Sequence, residues 1–244
     1  MAFDTALIII VVGSFLASVA NAAFSAGGAL IILAITSTVL PIQAIVPIHS
    51  TLLIGSTATR VLFFWEHIDW KIAGPFLVGS LFGAAIGARV YVELPEALVA
   101  VAISLLMLIA LWLPGVSWRP RVRHPWVIVG FIHTLISTMF AYGALLHSVI
   151  LHTDLKRQQV VGTMAGGLTG MGVFKIAGYI MVGFDYKPYL VTIIAAVAVS
   201  FLGTALGKQL GNLLSEDKFR LIYRVLITIT ALRLLYVGLV QGNL

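Results

Sequence analysis

Asn21 to Ala34 reads NAAFSAGGALIILA. The run sits inside a longer apolar stretch that begins near Ala6. It places Asn, Ser and a Gly-Gly pair where a membrane helix should be most regular. Lipid offers no hydrogen bonds, so backbone that leaves the helix within a bilayer must be buried in protein or line a watery cavity. Such an interruption marks either a close helix contact, which small residues permit, or a binding site. The choice depends on what surrounds it and on whether it recurs.

The surroundings are those of a membrane protein. Of 244 residues, 60% are hydrophobic and 10% charged, and the mean hydropathy is +1.07. Fifteen Lys and Arg with nine Asp and Glu cannot cover a soluble globule of this size. Apolar blocks run over about 5–40, 41–65, 71–91, 95–113, 125–152, 158–183, 188–210 and 219–240, and they recur at lengths suited to a hydrocarbon core of roughly 30 Å. They are continuous, which excludes the alternating strands of a barrel. The expected fold is an all-α integral membrane protein, and its 23 glycines suit close helix packing in lipid. The start, MAFDTALIII, lacks the basic and small-residue features of a cleaved signal, so the first block is expected to be retained. No cysteine is present, which removes thiol and Fe–S chemistry. The net charge of +6 falls in short loops between apolar blocks, which points to membrane orientation and not to nucleic acid.

The interruption recurs. The linker WRPRVRHP, Trp118 to Pro125, divides the chain nearly in half, giving repeats over 1–117 and 126–244 with the basic linker at 118–125. A shift of about 115 residues lays FSAGGAL (Phe24–Leu30) on FAYGALL (Phe140–Leu146) and Arg60 on Lys175. With a few inserted residues, Asp69 matches Asp185 and Gly83-x-x-x-Gly87 matches Gly203-x-x-x-Gly207. Two homologous repeats of about four helical segments each follow. If the first block of each enters and returns, broken or re-entrant, each half crosses with odd parity. Arg119, Arg121, Arg123, Lys156, Arg157, Lys208, Lys218, Arg220 and Lys71 then share one side, with Arg89 and Lys187 opposite. That agrees with the positive-inside tendency and predicts inverted repeats, although the block at 125–152 could also be read as one tilted helix.

Matched glycine breaks in inverted repeats point to a transporter's binding site, because a broken helix frees N–H groups and a positive dipole end for an anion. The paired breaks are Gly27-Gly28 and Tyr142-Gly143, with Asn21, Ser25, Ser137 and Thr138 as nearby donors. The second carries Tyr142 where another Gly would match the first, which makes it the less open of the two.

GGAL after a small and polar helix, HST (His49-Ser50-Thr51) followed by Arg60, the IDWK turn, the GxxxG span and VGTMAG (Val161–Gly166) with Lys175 resemble the sulfite exporter TauE/SafE family. The resemblance covers almost the whole chain. It implies a multi-pass protein of the bacterial inner membrane that moves sulfite, organosulfonates such as sulfoacetate, or related sulfur anions; no cofactor or metal is expected, since the six His residues lie scattered without metal-ligand spacing. A small anion and the bilayer are then the partners, and a coupling proton or cation and a homodimer stay open.

Single residues divide between structural and functional readings. Arg60 lies near the end of its block and can snorkel to the interface. Lys175 lies deeper, and its match to Arg60 suggests two cations converging on an anion near the midplane. His49, beside Ser50 and Thr51, and His133 are either packed through hydrogen bonds or carry a coupling proton. Thr163 either donates to a substrate oxygen or back-bonds to its own helix. No HExxH, Walker A or GxSxG motif and no intramembrane carboxylate pair supports catalysis. The expected function is alternating-access transport of a small sulfur anion. An anion channel, or a membrane enzyme or scaffold subunit without transport, is the alternative.

Overall fold

The structure is a computed structural model and describes residues 2–24, 28–113, 125–143, 145–210 and 216–240. It is all-α, with no strand among those residues. The helices are α1 (Ala2–Phe24), α2 (Gly28–Val39), α3 (Ile42–Phe64), α4 (Trp70–Glu93), α5 (Glu96–Trp112), α6 (Pro125–Phe140), α7 (Leu145–Ile150), α8 (Arg157–Met181), α9 (Leu190–Leu210) and α10 (Glu216–Val240). Six are long and apolar enough to cross a membrane, from Thr5–Ala23 in α1 to Leu221–Val240 in α10. Each exposes large apolar side chains, such as Leu81, Phe82 and Ile86 on α4, because lipid is their solvent.

The first block folds back on itself. Residues 25–27, Ser25 and Gly27 among them, lie outside the described residues. Gly13 packs on Ile35 and Gly28 on Asn21, so α2 runs antiparallel beside α1. At 12 residues, α2 is about 18 Å long and too short to cross, whereas α1 alone is long enough. The block at 125–152 is not one tilted helix. After 16 residues α6 ends at Phe140, and Ala141 turns the chain with φ +56°. A left-handed residue at a helix C-terminus is usually glycine, so alanine here holds a costly conformation.

The two acidic–aromatic turns share one local design. Asp69 Oδ1 accepts from Lys71 N at 2.9 Å and Asp185 Oδ1 from Lys187 N at 3.0 Å. Each carboxylate satisfies an amide that the following helical turn leaves free.

Contact registers give the helix directions. Gly162 meets Phe64 O and Gly172 meets Ile54, so α3 and α8 are antiparallel. Gly238 meets Ala97 O while Trp112 Nε1 donates to Thr228 Oγ1, so α5 and α10 are antiparallel too. In contrast α4 runs parallel to α6, since Gly79, Gly83 and Gly87 meet Val127, Phe131 and Leu135 in turn. Likewise α9 runs parallel to α1, with Gly203 on Phe15 and Gly207 on Val19.

Thr163 Oγ1 accepts from Asp69 N at 2.9 Å, which joins the starts of α4 and α8 at one end of the bundle with Lys71 and Arg157. At the other end Tyr91 packs edge-on against Tyr179, near Arg89 and Lys187. Arg119, Arg121 and Arg123 lie outside the described residues.

Candidate functional site

The deepest charge among the described residues is Lys175, 3% exposed on α8. Its ammonium donates to Ser137 O at 2.8 Å and approaches Ser137 Oγ at 3.4 Å. Ser137 O also accepts from Ala141 N at 3.0 Å, so Lys175 sits at the carbonyl end of α6, where the helix dipole is negative. An ammonium has three donors, and no carboxylate pairs with this one among the described residues. A full charge in the membrane interior is costly to hold in this state.

Two histidines flank it. His133 lies one turn before Ser137 on α6 and is 1% exposed; His49 on α3 is 1% exposed. The Lys175 charge acts on both imidazoles. The registers place all three at one depth. Gly172 faces Ile54 and Ser50 O, so Lys175, about a turn further along α8, falls level with His49 to Thr51. Gly170 and Gly178 bracket Lys175 and face Leu77 and Ala84 on α4, while Gly83 meets Phe131 O and Thr134 on α6 beside His133.

The second break closes over His133. Leu146 N donates to His133 Nδ1 at 3.1 Å, and Phe76 packs edge-on against the ring. A Cβ on Gly143 would stand 3.2 Å from both Nε2 and Cε1, so a larger residue there would press on the imidazole. Tyr142 is half-buried beside it. Among the described residues His133 Nε2 has no hydrogen-bond partner. At the first break, His49 Nε2 meets Ala29 O at 3.1 Å, and Nδ1 has no partner among the described residues.

The other sequence candidates fall into different places. Ser50 Oγ donates to Val46 O at 2.7 Å and Thr51 Oγ1 to Ile48 O at 2.7 Å, so both hydroxyl protons serve their own helix. Thr163 holds the α4 start, far along α8 from Lys175. Asn21 Nδ2 donates to Ser56 Oγ at 3.2 Å beside Gly28. The matching pair in the second half is Ser137 Oγ to Met171 Sδ at 3.7 Å. Arg60, half-buried one turn beyond Ser56, makes no hydrogen bond or ion pair among the described residues. It does not meet Lys175: nine residues of the antiparallel register separate their levels, about 13 Å along the axis. His133, read from the sequence as a packing or proton-carrying residue and not as an anion ligand, stands with Lys175 instead.

Below the cluster, a cavity of about 250 Å³ opens at the ends of α4 and α8, lined by Gln43, Pro47, Tyr91, Glu96, Tyr179 and Phe184 among others. Tyr179, one turn past Lys175, forms its inner wall and donates its hydroxyl proton to Thr138 O. The aromatic pair Tyr91 and Tyr179 thus stands between this vestibule and the ammonium.

The arrangement is a buried cation with free donor capacity and two part-satisfied imidazoles, with no counter-carboxylate among the described residues, in a multi-pass helical bundle. No curated protein and no solved structure matches the chain. A family model, Sulfite exporter TauE/SafE, matches residues 10–234, nearly the full length. With that match added to the membrane fold, the chain belongs to the TauE/SafE family of sulfite exporters, a family of membrane transporters.

Proposed function

We propose that the protein is a secondary transporter that exports a small sulfur-containing anion, sulfite or an organosulfonate such as sulfoacetate, across the bacterial inner membrane by alternating access. The observation that carries this reading is Lys175: a deeply buried ammonium with no carboxylate partner among the described residues, beside the α6–α7 break, in a family of exporters. Lys175 and His133 Nε2 would hold the anion, with His49 beside them. Gly28 and Gly143 let the broken segments come close.

Inverted repeats are supported by the directions of matched helices. Matched partners α3 and α8 are antiparallel, as are α5 and α10, which a twofold axis in the membrane plane would produce. The basic starts of α4 and α8 then face the cytoplasm. Closure of the vestibule by Tyr91 and Tyr179 favours a carrier over an open channel. Export of an anion from an inside-negative cell is favourable by about 2.3 kcal/mol per charge per 100 mV.

The test is uptake into proteoliposomes of sulfite, sulfate, thiosulfate, sulfoacetate and small carboxylates. A sulfur anion should be carried with saturation and counterflow. Lys175→Ala should lose about tenfold or more, the value of a charged hydrogen bond. Normal transport by Lys175→Ala removes the site, and transport of carboxylates alone removes the substrate class.

A further inference from the structure

The two imidazoles differ in what they can offer, and their backbone partners fix the difference. Leu146 N–H donates to His133 Nδ1, so that nitrogen carries no proton and the neutral ring holds its proton on Nε2. His133 therefore presents an unpartnered N–H donor. At His49 the order is reversed. Ala29 O can only accept, so Nε2 carries the proton and Nδ1 presents a bare lone pair. Beside one ammonium, the site has one donor and one acceptor.

An anion that offers only acceptor oxygens suits Lys175 and His133 but meets lone pair against lone pair at His49 Nδ1. That clash disappears if one proton lies between Nδ1 and an anion oxygen. Charge gives the same answer. A buried site is least costly when it sums to zero. The Lys175 ammonium and one proton together balance a divalent anion, whereas Lys175 alone balances a monovalent one and leaves Nδ1 unsatisfied.

We propose that the site binds a divalent oxyanion together with one proton held at His49 Nδ1, and so selects sulfite or a carboxylate-bearing sulfonate over a monovalent sulfonate. This deepens the transporter reading above and rests on it. Among the described residues, Lys175 on α8 is the charge that acts on His49, and the helix registers bring His133 on α6 to the same depth. Within α3's other partners, α2 carries no titratable residue and α9 only Lys208 near its far end. Glu96, reached through Gln43, and Tyr91 sit at the start of α3, and Glu66 and His67 at its end.

The measurement is titration calorimetry of the purified full-length protein in buffers of different ionisation heat, at a pH where sulfite is fully ionised. The probes are sulfite and methanesulfonate. Sulfite binding should take up one proton, and its affinity should fall about tenfold per pH unit as protons become scarce. Methanesulfonate should bind more weakly and take up none. In His49→Gln the uptake with sulfite should vanish. Sulfite binding by the wild-type protein without proton uptake overturns the proposal and leaves the transporter reading intact, as does unchanged uptake in a folded His49→Gln. If neither anion binds, both fall. Should His49→Gln fail to fold, the wild-type proton count and pH slope still decide.

Discussion

At the scale of the residue, Pro47 shows how a local defect becomes a tertiary contact. A proline inside α3 has no N–H for the carbonyl of Gln43. Tyr91 fills the vacancy, its hydroxyl lying 2.9 Å from Ile42 O and 3.2 Å from Gln43 O. Tyr91→Phe should cost about 1 kcal/mol, and less in a Pro47→Ala background, where the helix regains its own donor. Thermal unfolding of the four proteins of this cycle in detergent checks the coupling; a cost independent of residue 47 would contradict it. The same scale shows why the site was only partly legible. Lys175 announces itself by depth alone. His133 does not, because its partners at Leu146, Gly143 and Lys175 come from later segments that spacing cannot align. Thr163 carries the signature of a substrate donor, yet its oxygen is taken by an amide almost a hundred residues earlier in the chain. Arg60 and Lys175 mislead for a geometric reason. A shared place in the alignment of the two halves does not bring side chains together, and these two stand on opposite sides of the α3–α8 crossing.

At the scale of the element, the glycines sort by what they face. Gly79, Gly83 and Gly87 lie on the α6 backbone, so a methyl at Gly79 would strike Val127 O and one at Gly83 would come within 2.5 Å of Phe131 O. Gly74, on the same helix, has nothing within 4 Å. Gly79→Ala should destabilise by about 1–3 kcal/mol as the helices separate, and Gly74→Ala should stay within about 0.5 kcal/mol. Comparing the two melting temperatures tests this, and equal shifts would show that α4 and α6 are not in backbone contact. The repeated GxxxG spans were readable as close-packing motifs, but not their partners. Nothing in a glycine pair says that α4 chooses α6, or that α9 chooses α1. The break after Asn21 was readable as an interruption. That the returning α2 lies antiparallel against α1 rests on contacts such as Gly13 with Ile35, which join residues that spacing alone does not pair.

At the scale of the whole molecule, the absence of cysteine makes the topology open to a direct test. Single cysteines at the exposed positions Lys71 and Arg157 should react with an impermeant maleimide from one side of the membrane, and those at Glu93 and Lys187 from the other. Labelling of Lys71→Cys and Lys187→Cys from the same face would refute the proposed arrangement. The overall class was legible because hydrophobic length acts on each segment separately. The pairing of segments was not, because it is set by surfaces that meet only after insertion.

The crossed seams α4–α6 and α1–α9 also impose an order on biogenesis. When α5 leaves the translocon, α4 still shows its glycine face to lipid, and the face of α1 at Phe15 and Val19 stays uncovered until the glycines of α9 are made. Insertion must therefore run well ahead of packing. The α4–α6 seam is completed first, and α1–α9 closes only when the chain is nearly finished. Neither half is a folding unit, since each holds a surface whose counterpart is encoded in the other. A chain cut at the linker would leave two inserted pieces that find their structure only by finding each other.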